Sequence, residues 1–418
     1  MTGKPIRMPH FQWGLALTLG AAIAISYLDR QTLPWAIQAI QNDIPFSNQV
    51  KAGLDSAFLI TYGLMYIGGG MLLDRLGTKR GFILIMGFWS LACASHGFAG
   101  GILALATSRL LLGMGEGGGF PAATRAVTEW FSPKNRATAM GVVNAGTAIG
   151  GVFAPPLIAL ILTQVHWFDI APWRWVFFLT GGMGLLWVLW WWATYRTPVT
   201  PESTDAPPEP KISLGQMLRH REVWAVVGAK FLSDGAWYFY LFWLPKYLFD
   251  VFHLDIKSAG AIGWIPYAAS GVGCLIGGGL SSFLLRRGVS LDKSRKIALG
   301  ASAALMPWVM IVPYTTSLPL VIFLFSLAFF GQQSWSTLIM TLPTDMISKR
   351  TVGTLAGLVG FGGAMGGVTL GQIVGWMRDH GYSYEPALIL TGSMHVLAFA
   401  LICLLIPKLQ RLTFKPED

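Results

Sequence analysis

The sequence predicts an all-α membrane protein in which twelve transmembrane helices form two six-helix bundles. Of its 418 residues, 53% are hydrophobic and 12% are charged, whereas an average soluble domain carries about a quarter charged residues. Apolar runs of about 20 residues, each long enough to cross a hydrocarbon core, recur along the whole chain. The two halves of the chain also share a pattern of residues, which indicates a duplicated bundle.

Twelve apolar runs, separated by polar, proline or glycine residues, define the predicted spans. They cover residues 13–34, 54–73, 81–99, 102–122, 138–163, 173–194, 224–249, 259–285, 297–314, 318–341, 353–377 and 386–406. Residues 196–222 contain five prolines and mixed charges, which is typical of a linker. We therefore predict an N-terminal six-helix bundle over residues 1–195, a cytoplasmic linker over 196–222 and a C-terminal six-helix bundle over 223–418.

The formal net charge of +10, from 30 Lys and Arg against 20 Asp and Glu, follows the predicted topology. Most cations lie in loops on the side of the N-terminus, whereas the opposite loops and span ends hold few, Lys51 among them. By the positive-inside rule this distribution makes both termini and the linker cytoplasmic. Because the membrane topology accounts for the excess of basic residues, we expect no nucleic-acid partner. The first apolar stretch has full spanning length, which argues against a cleavable signal peptide. Three cysteines, all inside apolar runs, argue against a disulfide framework or a cysteine metal site.

A shift of 216 residues relates the two halves of the chain. It superimposes span 5 on span 11 through Gly141, Gly146, Ala148, Gly150, Gly151 and Val152 on Gly357, Gly362, Ala364, Gly366, Gly367 and Val368. The same shift places Glu116 on Gln332 and Glu129 on Asp345. A duplicated six-span unit implies two bundles that face each other across a central cavity, with access alternating between the two sides. This arrangement favours a transporter over a receptor or a membrane enzyme.

A charged motif lies between spans 2 and 3. Residues 70–80 read G-x-x-x-D-R-x-G-x-K-R, which resembles the cytoplasmic loop signature of the major facilitator superfamily. In span 4, Arg109-x-x-x-Gly113-x-Gly115 resembles the second signature of that superfamily. The resemblance implies that Asp74, Arg75 and Arg109 act in conformational change and do not bind substrate. The corresponding loop between spans 8 and 9 lacks the acid of Asp74, so we expect this interaction in one bundle only.

A narrower resemblance extends through most of both halves. It rests on these residues: Tyr27-Leu28-Asp29-Arg30, Gly115-Glu116, Phe120-Pro121-Ala122, Glu129-Trp130-Phe131, Asn144, Ala154-Pro155-Pro156, Phe242-Trp243-Leu244-Pro245-Lys246-Tyr247-Leu248 and Leu342-Pro343-Thr344-Asp345-Met346. In these residues the chain is similar to the anion:cation symporter family, which includes bacterial hexuronate, aldonate and aldarate transporters, and it is most similar to the hexuronate branch.

Two adjacent charges, Asp29 and Arg30, lie within span 1. Charges inside a bilayer are costly and usually face a cavity or a partner. Neighbouring helical residues point about 100° apart, so Arg30 can face a solute while Asp29 turns toward another helix. A guanidinium binds a carboxylate through two parallel hydrogen bonds, which suits an organic anion. The alternative is a structural ion pair between Arg30 and another span.

Glu116 lies in span 4 among glycines, with Arg109 about two turns earlier. A buried carboxyl group can gain and lose a proton as a nearby cation or water moves, so Asp29 and Glu116 are the candidate proton-coupling residues. The alternative for Glu116 is a hydrogen-bonded structural role. Because Gln332 replaces it in the repeat, we expect the groups that exchange protons to be confined to the N-terminal bundle. Lys230 and Asp234, four residues apart in span 7, are expected to pair locally.

The family resemblance also implies which residues surround the solute. Tyrosine and amide side chains can bond sugar hydroxyls, and tryptophan can stack on the apolar face of a pyranose. The alternative for each residue is a role in packing or at the membrane interface. The residues so implied are Tyr62, Asn144, Gln332 and Trp335, with Tyr27 as a further candidate beside Arg30.

The predicted function is a proton-coupled symporter that imports a sugar acid, a hexuronate such as galacturonate or glucuronate, across a bacterial inner membrane. We expect it to act as a monomer, with the proton as coupling ion and without a metal or cofactor. One alternative is a uniporter or exchanger of another organic anion, such as an aldonate, an aldarate or an aromatic acid. A sugar-acid receptor without transport is a second alternative. A membrane enzyme is not expected, because the sequence shows neither a membrane-embedded cluster of metal ligands nor a nucleophile-base pair.

Overall fold

The computed structural model describes residues 9–197, 214–347 and 352–412, and within these residues it contains helices and no β-strand. Short 3₁₀ helices at His96–Phe98 and Met306–Tyr314 continue two of the spans. The α-helices are α1 (Pro9–Asp43), α2 (Asn48–Ser95), α3 (Ile102–Glu116), α4 (Gly119–Trp130), α5 (Pro133–Gln164), α6 (Pro172–Thr194), α7 (Leu214–Leu218), α8 (Arg221–Phe252), α9 (Ile256–Arg286), α10 (Leu291–Ala303), α11 (Leu318–Ile339), α12 (Leu342–Met346), α13 (Val352–Asp379) and α14 (Glu385–Leu405).

The helices account for the predicted membrane spans. In the described parts of the chain, nine helical segments are long and apolar enough to cross a membrane. The remaining spans are the first part of α2, the pair α3 and α4, and α8, which carry more charge or are interrupted. Helix α6 ends at Thr194 and α8 begins at Arg221, but residues 198–213 lie outside the described ranges. The predicted boundaries of the two bundles therefore stay predictions.

Helix α2 holds both span 2 and span 3. Within it Gly77 adopts φ 72° and ψ 168°, a conformation that glycine reaches without the steric cost other residues bear. The chain folds back at this point, because a Cβ at Gly81 would lie 3.6 Å from the Cα of Leu73, eight residues earlier. A straight helix would separate these residues by about 12 Å. Gly77 thus forms the turn between two antiparallel spans.

Two of the predicted spans each consist of two helical segments. Span 4 consists of α3 and α4, which are separated at Gly117 and Gly118. A Cβ at Gly117 would lie 2.6 Å from the Cβ of Met65, so span 2 packs directly on this break. Span 9 consists of α10 and the 3₁₀ segment Met306–Tyr314. The break in span 4 places Glu116 at the last residue of α3.

The glycines of the repeat make equivalent helix contacts in the two bundles. We call the predicted N-terminal bundle the first bundle and the predicted C-terminal bundle the second. In the first bundle, Cβ atoms at Gly146 and Gly150 would collide with backbone carbonyl oxygens of α1. In the second bundle, a Cβ at Gly366 would collide with the carbonyl oxygen of Phe231 in α8, and one at Gly362 would lie 2.8 Å from Val227. Small residues allow this close approach of helices inside a membrane. The repeat thus preserves the packing of α5 on α1 and of α13 on α8.

Replacement of Gly146 by alanine is expected to destabilise the first bundle. The new Cβ would force α1 and α5 apart at Gly20, and overpacking of this kind costs about 1–3 kcal/mol. Gly141, one and a half turns earlier in α5, has no atom within 4 Å of its Cβ position and serves as the matched control. Thermal unfolding of both variants in detergent should show a lower midpoint for Gly146→Ala alone. Equal midpoints would contradict the packing argument.

The two bundles contact each other mainly through α2 with α13 and α5 with α9. We use the term far end for the end of the bundles at which α1 ends and α2 begins. There the backbone N–H groups of Asn48 and Gln49 donate to the carboxylate of Asp379 at 2.9 and 2.8 Å. Trp35 of α1 meets Phe249 of α8 edge to face, with ring centroids 6.4 Å apart. The far end is therefore closed by contacts between the bundles.

Candidate functional site

A buried ion pair joins α1 to the break in span 4. The Arg30 guanidinium donates to Glu116 Oε2 through Nη2 at 3.0 Å and through Nε at 3.3 Å. Ser26, one turn before Arg30 on the same face of α1, donates to the same oxygen at 2.9 Å. The other carboxylate oxygen, Oε1, is buried without a hydrogen-bond partner in the described residues. Glu116 thus retains one unused acceptor beside the cation.

Aromatic rings surround the guanidinium of Arg30. Its central carbon lies 4.4 Å from the ring centroid of Tyr62, 4.7 Å from that of Tyr27 and 5.3 Å from that of Phe58. The negative faces of these rings stabilise a cation in a poorly hydrated site. The Tyr62 and Tyr66 hydroxyls share a hydrogen bond of 3.2 Å. The structure therefore brings together four of the residues predicted for the site from the sequence, namely Arg30, Glu116, Tyr27 and Tyr62.

Asp29 points away from Arg30, as the helical geometry predicts. Its carboxyl group lies beside Cys93, Thr180 and Trp89, which belong to spans 3 and 6. Neither carboxyl oxygen has a hydrogen-bond partner that meets normal geometry within the described residues, and the residue is fully buried. A charge without a partner at such a position is costly, and such carboxyl groups are typical of proton pathways in membrane transporters.

Arg109 pairs with an acid that the sequence analysis missed. Its Nη2 lies 3.5 Å from Asp55 of α2, and the other oxygen of Asp55 accepts from Lys51 at 2.6 Å. Lys51 Nζ lies 4.2 Å from the ring centroid of Trp243 in the other bundle. We refer to Lys51, Asp55 and Arg109 as the buried charge cluster. Lys51 and Asp55 are four residues apart, a spacing that predicts an ion pair on one helix face. The pair was missed because the predicted span 2 began at residue 54, after Lys51.

The second bundle contains a buried polar network of its own, and the predicted confinement of proton coupling to the first bundle stays a prediction. Lys230 and Asp234 form the expected local pair at 2.9 Å. The Gln332 amide donates to Asp234 at 3.3 Å and shares a hydrogen bond with His395 of α14. Trp335 is fully buried, with its ring centroid 5.5 Å from that of His395. His395 was missed because its apolar neighbours in the sequence give no sign of a buried polar network.

Asn144 lies on the face of α5 that meets the second bundle. It is half-buried and comes four residues before Ala148, which therefore shares its helix face. A Cβ at Gly271 of α9 would lie 2.8 Å from the Cβ of Ala148. The roles of Asn144, Gln332 and Trp335 toward a solute stay predictions.

Polar contacts tie the helix ends together on the side opposite the far end. Glu129 of α4 accepts from Thr78 at 2.5 Å, from Arg125 at 3.1 Å and from Tyr195 at 2.8 Å. Burial and the hydrogen bond to the Glu129 carboxylate raise the pKa of Tyr195 above its usual value. Arg75 is exposed, and the side chain of Asp74 lies outside the described part of the structure.

The second bundle has an equivalent contact. Arg295 donates to Asp345 at 2.9 Å and to Ser281 at 2.9 Å. Asp345 is the repeat partner of Glu129, so an acid joins the helix ends in both bundles even though the loop at residues 286–288 lacks one. The expectation that the Asp74 interaction occurs in one bundle only stays a prediction, because the Asp74 side chain lies outside the described residues. In the described residues no group of three or more His, Cys, Asp or Glu side chains could hold a metal ion.

Comparison with known proteins agrees with the sequence motifs. The sequence profile of the Major Facilitator Superfamily matches residues 19–371. The D-galactonate transporter of Escherichia coli is 28% identical over 412 residues, which cover 93% of this chain and 94% of that protein. The hexuronate transporter of Escherichia coli is 28% identical over 390 residues, which cover 89% of each chain. The galacturonate transporter of Dickeya chrysanthemi is 29% identical over 72% of this chain and 90% of its own.

A solved structure shares the architecture. A bacterial homolog of the human lysosomal transporter Spinster, in an inward-facing and unoccupied conformation, superimposes with a TM-score of 0.70. The alignment covers 94% of this chain and 95% of that protein at 20% sequence identity, which shows a shared fold.

Proposed function

Because this chain belongs to the major facilitator superfamily, whose members are transporters and not enzymes, we propose that it is a proton-coupled symporter of a sugar acid. The proposed substrate is a hexuronate such as galacturonate or glucuronate, in line with the names of the relatives that cover most of the chain. The proposed location is a bacterial inner membrane, with both termini cytoplasmic and the monomer as the working unit.

The ion pair of Arg30 and Glu116, at 3.0 Å in a buried site, carries this proposal. A substrate carboxylate requires the same guanidinium that Glu116 now occupies, so the two carboxylates compete for one cation. Protonation of Glu116 removes its negative charge and frees Arg30 for the solute. Substrate binding and proton binding are thereby linked through Arg30, because proton binding to Glu116 releases the guanidinium that the solute requires. Symport needs such a link between the two binding events.

The remaining roles follow from the neighbours of this pair. Asp29, which points about 100° away from Arg30 around α1, is the second proposed proton-exchanging group. Tyr62, Tyr27 and Asn144 from the first bundle, with Gln332 and Trp335 from the second, are proposed to contact the sugar. One proton transported with one monoanion carries no net charge, whereas further protons would make transport respond to the membrane potential.

Uptake of radiolabelled galacturonate into proteoliposomes tests the proposal. The wild-type protein should accumulate the solute above equilibrium when an inward proton gradient is present. Glu116→Gln keeps the shape of the side chain but has no titratable proton, so it should lose this accumulation. The matched control is Glu385→Gln, since Glu385 lies at the start of α14 and accepts from the exposed Tyr314 at 2.6 Å. Gradient-driven accumulation by Glu116→Gln would refute the coupling role.

The same experiment separates the alternatives. Equilibration that ignores the proton gradient would indicate a uniporter or an exchanger. No uptake of galacturonate would require a panel of aldonates, aldarates and aromatic acids, for which the galactonate relative gives the first choice. Any measurable uptake would exclude a receptor that binds without transport.

A further inference from the structure

We infer that the second bundle restricts this site to polyhydroxylated monocarboxylates, and that Asp234 is the residue that rejects a second carboxylate. This inference rests on the proposed function, because it requires Arg30 to hold the first carboxylate of the substrate. It divides the sugar acids into two chemical classes. Uronates and aldonates carry one carboxylate and are accepted, whereas aldarates carry one at each end and are excluded.

Contacts of α13 place Asp234 at the boundary between the bundles. A Cβ at Gly363 would lie against the Asp234 carboxylate. Gly360 and Gly367, three residues before and four after Gly363, share its helix face. Their Cβ positions meet first-bundle residues of α2, namely Tyr66 for Gly360 and Leu59 for Gly367. The carboxylate of Asp234 therefore lies at the level of α2 at which Tyr62 contacts Arg30.

A short series of aromatic contacts joins Asp234 in the second bundle to Arg30 in the first. Tyr238, one turn after Asp234 in α8, stacks on Phe242 with ring centroids 5.7 Å apart, and Phe242 meets Phe58 of α2 at 6.4 Å. Phe58 in turn lies 5.3 Å from the guanidinium carbon of Arg30. We therefore place the other end of a solute held by Arg30 near the negative charge of Asp234. A terminal hydroxyl can donate to a carboxylate there, but a second carboxylate can only repel it.

The nearby cation of the second bundle is already engaged. Lys230 pairs with Asp234 at 2.9 Å, donates to Ser336 at 3.1 Å and is 6% exposed. Gln332 gives its amide to Asp234 and its oxygen to the hydrogen bond with His395. These bonds fix Asp234 in place and leave Lys230 committed to it. Removal of the Asp234 charge would release Lys230 as a partner for a second carboxylate.

Competition against galacturonate uptake in proteoliposomes tests this inference with two matched competitors. Galactonate and galactarate share one six-carbon skeleton and differ at one end, where the first has a primary alcohol and the second a carboxylate. For the wild type, galactarate should inhibit at least about tenfold more weakly than galactonate, as like charges in close contact require. In Asp234→Asn the ratio of the two inhibition constants should fall by about tenfold.

Two further variants make the test specific. Asp250→Asn alters the same kind of pair in the same helix, since Asp250 lies 3.0 Å from Lys246, but at the far end. It should leave the ratio at the wild-type value. Lys230→Gln removes the cation and leaves Asp234 unopposed, so it should raise the ratio. If Asp234→Asn fails to fold, the inference is still tested by the other two ratios of inhibition constants. A wild-type ratio near one, or a Lys230→Gln ratio that does not rise, would overturn it.

The outcomes also separate this inference from the proposed function. Galacturonate uptake with a wild-type ratio near one would overturn the inference alone. An unchanged ratio in folded Asp234→Asn would overturn it as well. Absence of uptake and of inhibition by any sugar acid would overturn the inference together with the proposed function.

Discussion

Replacement of Arg30 by lysine is expected to reduce kcat/KM for sugar-acid uptake by at least about 100-fold, although the positive charge is retained. Lysine cannot form the two parallel bonds that a guanidinium offers to a carboxylate. It also loses the planar contact with the rings of Tyr62 and Tyr27, at 4.4 and 4.7 Å. Each hydrogen bond to a charged group contributes about 1.5–3 kcal/mol, so loss of one or two accounts for the effect.

Uptake into proteoliposomes and the thermal shift caused by galacturonate measure this effect. Arg174→Lys is the matched control, because Arg174 pairs with Asp43 at 3.1 Å near the far end and is partly exposed. It should retain near wild-type uptake. An Arg30→Lys variant that transports within a factor of about three of wild type would show that charge alone suffices at this position.

Asp55→Asn is expected to cause the largest loss of stability among single substitutions in the buried charge cluster. The cluster has two cations, Lys51 and Arg109, and one acid, and both cations are fully buried. Removal of the acid leaves two uncompensated charges, and breaking a buried pair in this way costs about 3–5 kcal/mol. A lower unfolding temperature in detergent, together with a lower yield of folded protein, should reveal this loss.

Lys51→Met provides the comparison. It removes one of two cations and leaves Asp55 with Arg109 at 3.5 Å, so the cluster becomes neutral. Methionine also keeps an unbranched apolar chain beside Trp243. The loss of stability should therefore be smaller than for Asp55→Asn. A loss as large as that of Asp55→Asn would mean that charge balance does not govern the stability of the cluster.

The sequence was sufficient to predict the architecture because membrane spans and their repeat depend on local composition. The glycines related by the 216-residue shift predict equivalent helix contacts, and Gly146 and Gly362 make them. The different orientations of Asp29 and Arg30, about 100° apart, follow from helical geometry alone. Gly117 and Gly118, in contrast, are compatible with a continuous helix in sequence terms. Contacts with span 2 decide that span 4 breaks there.

The pairing of buried charges was not predictable from spacing along the chain. Arg109 and Glu116 share a helix, which suggests an interaction between them, yet Arg109 pairs with Asp55 and Glu116 with Arg30. Both partners come from other helices, so the choice depends on the distances between spans. His395 is similar, since its bond to Gln332 joins α14 to α11. These pairs form through tertiary packing of helices that are distant in the sequence, so a local sequence pattern does not predict them.

The pairing of Arg30 with Glu116 also protects the proposed cycle against proton leak. An empty carrier with this pair intact carries no net charge at the site, so the membrane voltage does no work on the pair as the carrier resets. An empty carrier with a protonated Glu116 would expose the unpaired charge of Arg30. Moving that charge costs about 2.3 kcal/mol per 100 mV when the field opposes it, in addition to the cost of an unpaired charge in a dry site. Protons would therefore cross the membrane slowly when no substrate is bound, and proton flow through the carrier would be coupled to substrate transport.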